Sequence, residues 1–207
     1  MNCLLCGSNF QSPPTWRSLI LYELAASACS RCWSKFEKAD TEIDFLNFKG
    51  TRYEGAVDSV TSLYSYNEAM KSYLHQYKFL QDVALSHIFA EELRHVFEKR
   101  EGIVVPIPMH PEKLVLRTFA QVDELLNSAG IPFQHILAKT ATSEQGKKSK
   151  KERLEANPLF EVIGKVERQD YFLFDDIYTT GATIHHAAKV LKETGARRVD
   201  AITLIKG

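Results

Sequence analysis

The chain has 207 residues, 44% hydrophobic and 25% charged, and its 26 Lys and Arg balance 26 Asp and Glu to a formal net charge of zero. That length fits one α/β domain with a small appendage, and the balance excludes a general basic field for nucleic acid, so any such binding must come from a local patch. No apolar run reaches membrane-spanning length, and the opening MNCLLCGSNF lacks the basic segment and apolar core of a secretion signal, so a cytoplasmic location with reduced thiols is expected and membrane insertion is not.

All four cysteines lie near the start, as two C-x-x-C pairs, Cys3/Cys6 and Cys29/Cys32. Two such pairs read as a closed tetrahedral Cys₄ zinc site of structural type, with no open position for water. Two disulfides are the alternative, disfavoured where thiols stay reduced. Residues 1–45 form this zinc-binding module, too small to bury a core without the metal, and residues 46–207 form the main domain. Pro13-Pro14 breaks the insert between the pairs, and Leu19-Ile20-Leu21 can pack beneath the metal. Trp16, Trp33 and Phe36 either pack around the metal or offer stacking surfaces to nucleic acid. Arg31 and Lys35, beside Cys32, either touch phosphate or are solvated.

The spacing predicts a strand over Val57–Tyr66, then a helix capped by Asn67 and running through EAMKSYLHQYKF. A second helix is expected over Val83–Lys99, with Leu85, Phe89, Leu93 and Val96 on one face. Ile103–Ile107 reads as a buried strand that leaves the sheet at Pro106-Ile107-Pro108-Met109-His110, because proline cannot extend a central strand. His110 is either a ligand contact or a partly buried turn residue, and Arg117 is the better anion candidate, since its guanidinium can grip phosphate with two parallel bonds. A helix follows from Arg117–Gln121 through Leu125 and Leu126 to Gly130, and then a short strand near Phe133–Leu137.

Residues 139–158 are almost devoid of apolar side chains, and Lys147, Lys148, Lys150, Lys151 and Arg153 crowd together. Such a cluster can contact a DNA backbone or simply be solvated.

Tyr171–Gly195 reads as strand, turn and helix: YFLF, then Asp175-Asp176, then Thr179-Thr180-Gly181-Ala182-Thr183, then a helical pattern ending at Gly195. A helix N-terminus offers unpaired N–H groups and a positive dipole end, so with the threonine hydroxyls this turn makes a dianion pocket. Ionised carboxylates only accept hydrogen bonds, so Asp175 and Asp176 suit the vicinal hydroxyls of a ribose, or Mg²⁺. The alternative is an ordinary helix start with acidic residues before it. An alternating strand, Arg198–Ile205, ends the chain. Successive βαβ units give a mostly parallel sheet with its ligand edge at the carboxyl ends of the strands.

DDIYTTGAT resembles the signature of phosphoribosyltransferases, which bind 5-phosphoribosyl-1-pyrophosphate (PRPP); Tyr178 stands where a smaller aliphatic residue is usual. VPIPMHPEKLVLRTFAQ resembles the V-P-V-P-x-H…R-G-F-N-Q stretch of the ComF family, with Thr118 and Ala120 in place of its Gly and Asn. LHQYKF resembles that family's segment around a lysine, here Lys78, and KSKKER its Ser-Arg-x-x-Arg stretch. The resemblance, which covers nearly the full length, implies a type I phosphoribosyltransferase-like α/β fold, a mostly parallel sheet flanked by helices, behind an N-terminal Cys₄ zinc module. It implies a competence role in DNA uptake, single-stranded DNA and the competence helicase ComFA as partners, and PRPP with Mg²⁺ as ligand. It places pyrophosphate at Pro106, Ile107, Pro108, His110, Arg117 and Lys78, and it implies that the loop carrying Lys147, Lys148, Lys150, Lys151 and Arg153 covers that pyrophosphate as a lid. Whether such a pocket transfers phosphoribosyl groups, binds DNA beside its ligand, or binds ligand without reacting stays open at the level of sequence.

Overall fold

A computed structural model describes residues 1–11, 27–40, 48–140 and 159–207. Among these residues the main sheet has four strands in the order β1–β6–β5–β2, and every neighbouring pair is parallel. These are β1 (Ser59–Ser65), β2 (Ile103–Pro106), β5 (Asp170–Tyr178) and β6 (Arg198–Lys206). β3 (Leu137–Lys139) and β4 (Phe160–Val162) pair antiparallel in a separate two-stranded ribbon. The expected α/β class holds, but the strand expected near Phe133–Leu137 starts only at Leu137, as β3, because residues 131–136 form no ladder with a neighbouring strand, and it lies outside the main sheet.

Helices cover both faces. α2 (Glu68–Phe79), a 3₁₀ stretch (Val83–Phe89), α3 (Ala90–Phe97) and α5 (Gln121–Ala129) pack on one side. Their Tyr77, Phe89, Leu93 and Leu125 meet Phe172 and Phe174 of β5. α6 (Ala182–Thr194) and the β3–β4 ribbon cover the other, where Ile184, Ala188 and Leu191 meet Tyr171 and Leu173. Alternate β5 side chains thus enter opposite layers, which is why a strand buried on both faces reads as a continuous apolar run.

Three further elements differ from the sequence expectation. β5 continues four residues past Phe174, because its backbone keeps pairing with β6: Asp175 lies opposite Thr203, Ile177 opposite Ile205 and Tyr178 opposite Lys206. The expected single helix over Val83–Lys99 is split, its first half wound as 3₁₀, where the Ser86 hydroxyl bonds back to the Val83 carbonyl at 2.7 Å and also meets the Ser128 hydroxyl at 2.6 Å. A short helix, α4 (Pro111–Arg117), opens with Pro111 and has His110 as its cap.

The N-terminal segment packs against the main domain. A short helix, α1 (Ser30–Trp33), carries Trp33 into contact with Phe36, Tyr64 and Phe89. Ala39 N–H donates to Leu63 O at 3.0 Å and Ser65 N–H to Glu37 O at 2.9 Å, covering the outer edge of β1. Trp33 and Phe36 therefore serve packing; Trp16 and Leu19–Leu21 lie outside the described residues.

Candidate functional site

The four cysteines form one cluster, their sulfurs all within 4.8 Å of one another. Cys6 and Cys29 sulfurs are 3.9 Å apart, close to the ~3.8 Å edge of a tetrahedron with ~2.3 Å zinc–sulfur bonds. None of the four is in a disulfide. The Cys29 backbone N–H donates to the Cys3 sulfur at 3.3 Å, the type of bond that stabilises a thiolate. Four thiolates this close repel unless a cation joins them, so the donor set fits a metal ion held by Cys3, Cys6, Cys29 and Cys32.

The second site lies at the carboxyl edge of the main sheet. Register places Pro106 opposite Phe174, and Ile107 N–H donates to Phe174 O at 2.9 Å. The Pro106–His110 turn therefore starts beside the acidic pair. Asp175 is half-buried and Asp176 buried. Asp175 Oδ1 accepts the Asp176 N–H at 2.8 Å. Lys78, in the last turn of α2, places Nζ 2.7 Å from Asp176 Oδ2, with both side chains nearly closed to solvent. Burial, and next the adjacent Asp176 charge, push the Asp175 carboxyl up to about 7; its bond from Asp176 N–H and the Lys78 and Lys139 charges act the other way. The site thus sets a carboxylate paired with Lys78 beside a second carboxyl whose pKa is pushed up to about 7.

The turn after β5 opens α6. Gly181 sits at φ 74°, in the left-handed region, and a Cβ there would collide with the Tyr178 phenol. Thr180 Oγ1 accepts Ala182 N–H at a long 3.5 Å. Thr179 is exposed, Thr180 and Thr183 half-buried, and Gly181 and Ala182 buried. The structure therefore brings Asp175, Asp176, Thr179–Thr183, Lys78 and the start of the Pro106–His110 turn to one edge.

Two predicted residues hold other company. His110 caps α4, its Nδ1 accepting Glu112 N–H at 3.3 Å, while its buried Nε2 has no hydrogen-bond partner among the described residues. Arg117 donates to Gln121 Oε1, and its guanidinium lies 5.8 Å from the Phe79 ring centroid. The basic residues Lys147, Lys148, Lys150, Lys151 and Arg153 lie outside the described residues, but both ends of their segment are visible: β3 and β4 pair, and Thr140 N–H donates to Leu159 O at 2.9 Å.

Lys139, the last residue of β3, was not singled out from sequence. Burial lowers its pKa, the Lys113 charge adds to this, and the Asp175 charge opposes it. A lysine ending a short strand at the margin of a basic loop was the available signal. Also missed were His185 and His186, buried on α6 against Phe48 and Tyr53. Among the described residues no helix is long and apolar enough to cross a membrane.

No protein-family model matches the chain. It is similar to the competence protein ComFC of Streptococcus pneumoniae, 34% identical over 221 residues, covering 100% of each chain. It is also similar to ComFC of Bacillus subtilis, 33% identical over 226 residues, covering 99% of this chain and 94% of that protein. A 54-residue stretch is 50% identical to a ribose-phosphate pyrophosphokinase of Porphyromonas gingivalis, covering 25% of this chain and 17% of that enzyme. Among solved structures, adenine phosphoribosyltransferase from Leishmania tarentolae is a distant neighbour, at 15% identity and a TM-score of 0.34, covering 61% of this chain and 71% of that one. With about a third of its residues shared across full-length relatives, the chain belongs to the ComFC family of competence proteins.

Proposed function

We propose that the protein acts in DNA uptake during natural transformation, in the cytoplasm, binding single-stranded DNA and a phosphoribosyl ligand, PRPP with Mg²⁺. Residues 1–45 serve as a structural zinc module and residues 46–207 as the ligand-binding domain. The observation that carries this reading is the carboxyl edge of β5, where an acidic pair partnered by Lys78 stands immediately before a glycine-opened helix N-terminus. Carboxylates accept from the ribose hydroxyls, and the N–H groups of the Thr179–Thr183 turn receive the 5-phosphate. Pro106, Ile107, Pro108 and His110 line the side toward pyrophosphate, with Lys78 and Arg117 as its cations; the orphaned His110 Nε2 is a donor suited to an anion. Mg²⁺ would supply charge neutralisation between diol and pyrophosphate.

The basic segment Lys147–Arg153 supplies the DNA contact. What supports this reading is that the flanking strands β3 and β4 pair and that the charge of Lys139, which ends β3, acts on Asp175. The competence helicase ComFA is the partner this role implies.

Calorimetric titration with PRPP and Mg²⁺ tests the pocket: wild type binds and the Asp175→Asn/Asp176→Asn double variant does not. Equal affinity in the two proteins refutes the carboxylate role. Release of pyrophosphate with an acceptor present would make the protein a phosphoribosyltransferase; binding without consumption would make it a ligand sensor. For DNA, charge reversal at Lys147, Lys148, Lys150 and Lys151 should weaken oligonucleotide binding and flatten its salt dependence. Unchanged binding removes the segment as the contact.

A further inference from the structure

The turn that opens α6 is gripped from behind by residues that the ligand reading does not use. His185 Nδ1 lies 3.0 Å from the Gly181 carbonyl oxygen, and the same oxygen accepts the His185 backbone N–H at 3.0 Å. A carbonyl only accepts, so Nδ1 carries the proton in this geometry. Phe48 lies flat on the imidazole, with ring centroids 3.4 Å apart and planes 9° apart. One residue along, the Tyr53 hydroxyl meets His186 Nδ1 at 3.0 Å. Phe48, Tyr53, His185 and His186 are each 2% exposed.

Phe48 and Tyr53 belong to one compact strap, residues 48–57. The Thr51 hydroxyl donates to Phe48 O at 2.7 Å and Gly50 N–H to Glu54 Oε2 at 2.8 Å. Ala56 and Val57 then enter the core layer that holds α6.

The oxygen held by His185 belongs to the peptide whose other end is the Ala182 N–H. Carbonyl and N–H of one peptide point in opposite directions. Were this peptide to rotate, the N–H would leave the anion pocket and a partially negative oxygen would take its place. Glycine at φ 74° resists such a rotation less than any other residue would. We infer that His185 is a positioning residue for the anion-binding turn, its Nδ1–H and the Phe48 ring above it holding the Gly181–Ala182 peptide so that its N–H, bonded only at a long 3.5 Å to Thr180 Oγ1, can turn to phosphate. The inference rests on the phosphoribosyl reading only for the identity of the anion. Burial lowers the His185 pKa to about 4, opposed by the bond to the Gly181 carbonyl, so the ring stays neutral near pH 7.

Three variants of the full chain test it. His185→Phe keeps a flat ring for Phe48 to cover but has no donor; His185→Asn returns an N–H near the Nδ1 position; Phe48→Leu removes the stack. Two readouts are taken on each: amide hydrogen exchange at Ala182 and Thr183 in ligand-free protein, and affinity for PRPP with Mg²⁺ and for ribose 5-phosphate. His185→Phe should speed exchange and weaken binding about tenfold, the scale of one buried hydrogen bond, and Phe48→Leu should do so more mildly. His185→Asn should return both to within about threefold. A purely space-filling role would favour His185→Phe over His185→Asn, and that order overturns the inference. So does unchanged exchange in His185→Phe. If exchange responds as expected while wild type binds neither probe, the phosphoribosyl reading fails and the positioning role stands. ¹⁵N NMR of wild type gives a check that needs no variant: Nδ1 should carry the proton, and an Nε2-protonated tautomer overturns the proposal.

Discussion

Replacing Asp175 by Asn should stabilise the ligand-free protein at alkaline pH while abolishing ligand binding. The Asp175 carboxyl is raised from 3.8 to about 7, first by burial and second by the adjacent Asp176 charge. The folded chain therefore holds this proton more tightly than the unfolded chain does. The stabilisation that follows is fully present below about pH 4 and is lost as the pH rises through about 7. Each tenfold change in proton affinity is worth ~1.36 kcal/mol, which bounds the effect at about 4 kcal/mol. Water reaches this half-buried side chain, so about 2 kcal/mol is the working expectation. Asn is neutral throughout and can still accept the Asp176 N–H through its own Oδ1. Urea unfolding of wild type and variant at matched pH from 4 to 8.5 reads the difference, since groups away from the acidic pair and its lysines cancel. The variant should gain on wild type from about pH 4 upward and level off above about pH 7. A gap that does not change with pH, or a variant less stable than wild type at pH 8, refutes the reasoning. Greater stability at the expense of binding is the usual trade at a functional site.

Lys78→Met should cost about 3 kcal/mol in urea unfolding, because it leaves the Asp176 carboxylate buried without its cation; a loss under about 1 kcal/mol would mean that the pair is not sequestered. Adding Asp176→Asn to that variant should recover much of the loss. Gly181→Ala should cost more than about 1 kcal/mol, through its left-handed φ and the collision with the Tyr178 phenol; Tyr178→Val should relieve only the collision, and full additivity of the two changes would argue against that contact. Metal analysis should return one equivalent of zinc per chain, and a strong chelator should lower the melting temperature and shift tryptophan emission to the red, since Trp33 follows Cys32 in α1 and packs on Phe36 and Phe89. Well under one equivalent in protein purified without chelator contradicts the Cys₄ assignment.

What the sequence determined by itself was local. Two C-x-x-C pairs announce a metal cluster because each pair presents two sulfurs to one point whatever the rest of the fold does. Strand, acidic pair, small-residue turn and helix are likewise legible because each depends on neighbours within a few residues. The full-length resemblance extended that reading to the fold class. Only the tertiary structure decided what meets across the chain. Lys78 and Asp176 are far apart in sequence, and α2 must lie against β5 before they can pair. β5 runs on to Tyr178 because β6 supplies a partner there, a fact no apolar pattern contains. A strand was expected near Phe133–Leu137, whereas β3 runs Leu137–Lys139; its antiparallel pairing with β4, away from the main sheet, brings Lys139 toward the acidic pair. Phe48 on His185 follows the same rule. Periodicity reports which residues are buried, whereas the partner against which they are buried is chosen by the packing of whole elements.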